Sequence, residues 1–231
     1  IVGLAPDAFR NFTVPGNKMF IIDAMTASVG PAWNDFVECV NNGSIFAIIT
    51  ARGHSPETLK EAVLNLILAS KNGINKSTLE KNLQTYDQLS TLTENELKPK
   101  VNASIIEYLD KCKFHPVTYG DGSAQSPEEG KNKALKEFVS YCREQAKDLI
   151  KIILKKNPNV KLSDLRPVFK NDMSLDEPIE DMDEFIEKYL SIGFSDDDPR
   201  NIQASSEFLG KEYEKNPVKL YLTKGGEKKE Y

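Results

Sequence analysis

Three consecutive carboxylates, Asp196, Asp197 and Asp198, follow the apolar run at residues 189–194 and precede Pro199. Like charges this close repel one another, and holding them together is costly unless a cation sits among them. Magnesium suits such a group. It takes one or two carboxylates and completes its shell with water and phosphate oxygens. The same residues also read as a helix start, with Asp198 as cap and Pro199 in the first helical position.

A second chemical group lies upstream. In IFAIITARGH, residues 45–54, an apolar run ends in Thr50 and is followed by Ala51, Arg52, Gly53 and His54. A threonine hydroxyl and the amides behind it can hold a phosphate oxygen. Taken alone, it is also an ordinary strand-end threonine. The third group is Lys131, one turn past Ser126. The helix dipole disfavours a cation there, so its place is explained if the ammonium faces anions. The other reading is a solvated lysine on a Lys-rich face, with Lys133 as the alternative. Phosphate chemistry with magnesium needs an acid set and a donor set facing one space.

The elements that must position these groups follow from periodicity. Five short apolar runs, at residues 19–22, 45–49, 114–119, 189–194 and 218–222, read as buried strands. Helical spacing separates them. Trp33, Phe36, Val37 and Val40 form one face, and Leu59, Ala62, Val63, Leu66 and Ile67 form another. The longest series runs from Leu135 through Phe138, Val139 and Cys142 to Ile153. Ser55-Pro56-Glu57 and Ser126-Pro127-Glu128-Glu129 are helix starts, the second a capping box. Strands alternating with helices predict a mainly parallel sheet covered on both faces. Ligands of such sheets bind beyond the strands' carboxyl ends. That rule selects Asp23, the Thr50–His54 loop and the triple aspartate, and it favours the metal reading of Asp196 and Asp197 over the turn.

Composition bounds the rest. The chain has 231 residues, 39% hydrophobic and 28% charged, which suits one domain with insertions. The expected insertions are a helical one at about residues 73–112 and an acidic, proline-containing one at about 157–187. The tail from Lys224 to Tyr231 is expected to fray. Net charge is −5, so no basic face recommends nucleic acid as a partner. No apolar run approaches the ~20 residues of a membrane span. Cys39, Cys112 and Cys142 are too far apart for a zinc motif and read as thiols of a reducing, cytoplasmic compartment. His54 and His115 lack zinc-spaced partners; His54 could touch substrate, and a solvated loop histidine is the commoner case. Trp33 reads as core. No phosphate-binding glycine loop and no dinucleotide fingerprint occurs.

On these residues the chain resembles the haloacid dehalogenase superfamily of phosphohydrolases. AIITARG is similar to its second motif, SDDDPRN to its fourth, with Asp196, Asp197 and Asn201, and Lys131 to the lysine of its third. The resemblance spans about residues 19–222. It implies a Rossmann-like three-layer sandwich around a mainly parallel five-stranded sheet. It also implies magnesium held by Asp196 and Asp197, phosphoryl oxygens held by Thr50, charge balance by Lys131, and substrate contacts at Arg52, Gly53 and Asn201. A phosphate monoester, on a small molecule or a phosphoprotein, would be hydrolysed through an aspartyl-phosphate.

The first motif of that family, DxDxT, is broken here. In IIDAMTA, Asp23 stands at the nucleophile's place, Met25 at the acid/base's and Ala27 at the threonine's. Loss of a general acid typically costs ~10²–10⁴ in rate. Two accounts are open: Asp23 serves in a weakened or inactive member, or an intact motif precedes Ile1. The competing function is a catalytically inactive module that binds or scaffolds.

Overall fold

A computed structural model describes residues 17–51, 53–90, 101–117, 126–165, 180–213, 215 and 217–231. The helices are α1 (Asn17–Thr26), α2 (Trp33–Asn41), α3 (Pro56–Leu68), α4 (Lys76–Ser90), α5 (Val101–Lys111), α6 (Pro127–Lys156), α7 (Met182–Tyr189) and α8 (Pro199–Glu212). The strands are β1 (Ala47–Thr50), β2 (Lys113–Pro116), β3 (Ile192–Asp196), β4 (Val218–Lys224) and β5 (Glu227–Glu230).

Side-chain caps start the helices where the sequence places them. Ser55 Oγ accepts from the Thr58 amide, and Ser126 Oγ from the Glu129 amide at 3.1 Å. Each cap precedes a proline at the first helical position, where a missing N–H costs nothing. Their apolar stripes then bury. Val63, Leu66 and Ile67 of α3 join Val40, Leu79, Ile105 and Leu109 in one cluster, and Leu59 of the same stripe is also buried. Trp33 packs against it and donates its indole N–H to the Asn72 carbonyl at 2.7 Å. The region expected as a helical insertion is thus part of this core. A second cluster joins Leu135, Phe138 and Val139 of α6 to Ile192, Phe194, Ile202, Leu209 and Leu220. A third sets Ile150 of α6 against Leu162, Leu165 and α7, so the part of the 157–187 region that is described packs on the far half of α6.

The expected five-stranded parallel sheet is not what the described residues form. They make two sheets: β1 and β2, parallel, and β3–β4–β5, in which β3 and β4 are parallel and β5 is antiparallel. Two readings account for the difference. Residues 19–22 belong to α1, because a four-residue apolar run cannot tell a strand from one helical turn. Met25 packs that helix on the first cluster. The expected frayed tail instead forms β5. Gly225 and Gly226 at φ +65° and +84° close a two-residue hairpin, and the turn sets β5 against β4 despite its four exposed charged residues. The 189–194 run also divides, since Tyr189 ends α7 and the strand starts at Ile192. Residues 118 and 119 of the 114–119 run lie outside the described residues.

Helix α6 serves as a ruler for the two sheets. At its start, Lys131 meets Asp196, the last residue of β3. Nearer the far end, Ile150 packs with Tyr189, just before β3. The Lys113 ammonium lies 3.8 Å from the Tyr141 ring centroid, and Lys113 stands opposite Ala47. His115, opposite Ile49, feels Glu137. Both β1 and β3 therefore run toward the N-terminus of α6, and Thr50 and Asp196 end at the same side of the molecule.

Candidate functional site

Asp196 is 7% exposed and Lys131 8% exposed, and Lys131 Nζ lies 2.6 Å from Asp196 Oδ2. The other carboxylate oxygen, Oδ1, accepts from Asn201 Nδ2 at 2.8 Å and from the Asp198 amide at 3.0 Å. A buried charge is tolerated when it is paired and its lone pairs are used. The arrangement meets that condition from three directions: α6, α8 and the turn after β3. Lys133, the alternative to Lys131, is exposed.

The three aspartates divide their roles. Asp196 points inward. Asp197 is exposed. Asp198 caps α8, with Oδ1 accepting from the Arg200 amide at 2.9 Å, and its carboxylate also pairs with the Arg200 guanidinium. Those hydrogen bonds from Arg200 pull the Asp198 carboxyl down to about 2.

A second polar pair holds the site's two helices together. Ser205 Oγ donates to Asn132 Oδ1 at 2.8 Å, and Asn132 Nδ2 reaches the Ala204 carbonyl at 3.4 Å. Gly130 and Ala134 are buried on the same stretch of α6, and small side chains there permit close approach to α8. Sequence reading missed this clamp. Its signal was Ser205, a polar residue at an apolar-face position between Ile202 and Leu209.

At the end of β1, Thr50 is half-buried and Gly53 follows in the loop. Arg52 lies outside the described residues. His54 is not the solvated loop histidine expected. It is 1% exposed and stacks on Phe20 of α1, with ring centroids 4.3 Å apart. This packing lays α1 over the carboxyl end of β1. Asp23 is one turn beyond Phe20 on the same helix, rather than at the end of a strand. Spacing of three keeps the two on one helix face.

Among the described residues, no group of three or more His, Cys, Asp or Glu could hold a metal. The donor set still suits magnesium, which needs only one or two carboxylates when phosphate and water supply the rest. Asp196 uses three of about four acceptor positions in the bonds above, and Asp197 is exposed beside it. The thiols are unsuited to nucleophilic work, because burial pushes Cys39 and Cys142 up to about 12 and Cys112 up to about 11. All three are free. No described helix is long and apolar enough to cross a membrane. Against this geometry, no protein-family model, no curated protein and no solved structure matches the chain.

Proposed function

We propose that the chain is a magnesium-dependent phosphohydrolase of the haloacid dehalogenase type, acting on a phosphate monoester of a small molecule or phosphoprotein. The observation that carries the reading is the buried Lys131–Asp196 pair, placed at the same side of the molecule as Thr50. It joins a cation, an acid set and a hydroxyl-and-amide donor set at one end of two strands.

Each residue has a role in that reading. The Thr50 hydroxyl and the amides after it orient phosphoryl oxygens. Lys131 offsets charge that builds on the phosphoryl group, and Asp196, held by Asn201, keeps Lys131 in place. Asp196 and Asp197 would hold magnesium, which supplies charge neutralisation at the phosphate. Gly53 and Arg52 flank the substrate. The aspartyl-phosphate route requires a carboxylate oxygen to attack phosphorus as the alcohol leaves, after which water restores the carboxylate. Asp23 is the carboxylate in this chain to which that step falls.

One observation favours the second reading, an inactive module that binds phosphate. Asp23 sits on a helix, and Met25, at the acid/base's place, packs in the core. Turnover separates the two. The natural full-length polypeptide should release p-nitrophenol from p-nitrophenyl phosphate only with magnesium. Asp197→Asn, an exposed change, should lower kcat/KM about 10²-fold, the scale of losing one electrostatic contact in a site. Absence of turnover across a panel of phosphate monoesters overturns the hydrolase. Phosphate binding without turnover establishes the module.

A further inference from the structure

We propose that Asn132 and Ser205 are positioning residues: their hydrogen bond fixes the register of α6 against α8 and so holds the Lys131 ammonium where Asp196 and the phosphoryl group need it. What Lys131 does there rests on the phosphate-site reading; how it is held rests on the two helices alone.

A lysine ammonium is a compact charge on a flexible four-carbon stem, so its place is set by the backbone it grows from and by its partner. Both are controlled from α8. Asn201 is buried and donates to Asp196 Oδ1 at 2.8 Å, which orients the carboxylate that receives Lys131 at 2.6 Å. Ser205 lies four residues further on, on the same face of α8, and is 1% exposed. Its hydroxyl donates at 2.8 Å to Oδ1 of Asn132, the residue next to Lys131. One face of α8 thus grips the acid with Asn201 and the lysine's own stretch of α6 with Ser205.

The contact between the helices has two points. The Asn132 amide accepts from Ser205 and donates to the Ala204 carbonyl at 3.4 Å. Bonds to two neighbouring residues of α8 fix position along the helix axis as well as distance across it. A slide of α6 by one residue is ~1.5 Å, and good hydrogen bonds tolerate only about 0.5 Å. The surrounding apolar contacts do not supply that register. Leu135, Val139, Ile202 and Leu209 share one cluster, and apolar burial is non-directional. Gly130 and Ala134, buried on α6, permit close approach without specifying where it stops.

Two aliphatic side chains would join α6 to α8 about as strongly, since replacing both partners of a buried hydrogen bond by apolar groups of the same shape is often nearly neutral. What the polar pair adds is direction. Direction matters at this end of α6, because a 1 Å misplacement in a site can cost ~10²-fold in rate. The far half of α6 carries no site residue and packs on an apolar cluster instead.

Proton exchange of the lysine ammonium reads how firmly Lys131 is held. It is followed by NMR on the full polypeptide, with the signal assigned by its loss in Lys131→Met. Ser205→Ala should speed it about 5–10-fold, the factor that one net hydrogen bond supplies. Asn132→Leu combined with Ser205→Ala should regain stability in urea and keep the fast exchange, because apolar packing returns without the register. Slow exchange restored together with stability overturns the proposal. Should the double variant not fold, Ser205→Ala is read against Ile150→Val, a cavity variant on the far half of α6; equal acceleration in the two overturns it as well. Turnover of p-nitrophenyl phosphate adds a catalytic readout. Ser205→Ala should lower kcat about 10-fold with KM little changed, and should lower it no further in a Lys131→Met background. An equal loss in that background overturns the positioning role. The exchange readout needs no turnover, so failure of the hydrolase reading and failure of this proposal give different results.

Discussion

The two sheets end side by side, yet they are built on different terms. β3 alternates buried and exposed positions, is paired with β4, and delivers Asp196 into a closed set of partners. β1 is half-buried at all four positions, pairs with β2 alone among the described residues, and ends at Thr50 under a helix. Both read in the sequence as short apolar runs. The contrast teaches that an apolar run reports the wish to be buried and not the burial achieved. β3 meets α6 and α8 on one face. β1 sends Ile48 into one cluster and Ala47 and Ile49 into another.

The contrast can be broken at its strongest point first. Lys131→Met leaves Asp196 buried without its partner and should cost about 3–5 kcal/mol in urea denaturation. Adding Asp196→Leu should restore most of that loss, because an apolar pair of similar volume removes the unpaired charge. A small effect of Lys131→Met would show that the β3 end is no more tightly closed than the β1 end. Next comes the difference in burial. Leu109→Ala, in the first core, should cost about 2–5 kcal/mol. Ile49→Ala, at a half-buried position of β1, should cost nearer ~1 kcal/mol. Equal costs for the two would show that the β1 side is as fully packed as the first core.

Ser126→Ala tests whether the α6 cap supports the site. It should lower stability by about 1 kcal/mol through the lost bond to the Glu129 amide. The smallest effect is a pH dependence on the β1–β2 side. Burial holds His115 below its ordinary 6.5, and its Nε2 is enclosed without a hydrogen-bond partner among the described residues. Below about 6.5 the unfolded chain gains a proton that the folded chain resists, so stability falls as pH drops from 7 toward 5. His115→Gln should flatten the urea midpoint over that window. Acid sensitivity unchanged by the substitution would place its cause elsewhere.

Much of the fold was legible locally. Ser55, Ser126 and Asp198 start helices as their spacing predicts, because a cap is satisfied within three residues. The stripes of α2, α3 and α6 fall on buried faces for the same reason. What escaped depended on neighbours or on too short a window. MFII had too few residues to declare its period. The KGGEK turn made β5 from a tail whose composition alone suggests fraying. His54 became buried only because α1 lies across it, and the Ser205–Asn132 clamp joins residues 73 positions apart. In the candidate site, residue types and the capping role of Asp198 were legible, and the inward turn of Asp196 onto Lys131 and Asn201 was not.

By itself the sequence determined where the capped helices α3, α6 and α8 begin, and that a carboxylate-rich turn follows an apolar strand; these are short-range matters of capping, period and turn chemistry. Only the tertiary structure decided that Lys131 and not Lys133 faces the acids, and that Asp196 turns inward while Asp197 stays in water. It also placed β1 and β3 in separate sheets among the described residues. Those choices are set by burial and by backbone pairing between distant segments, which no local pattern encodes.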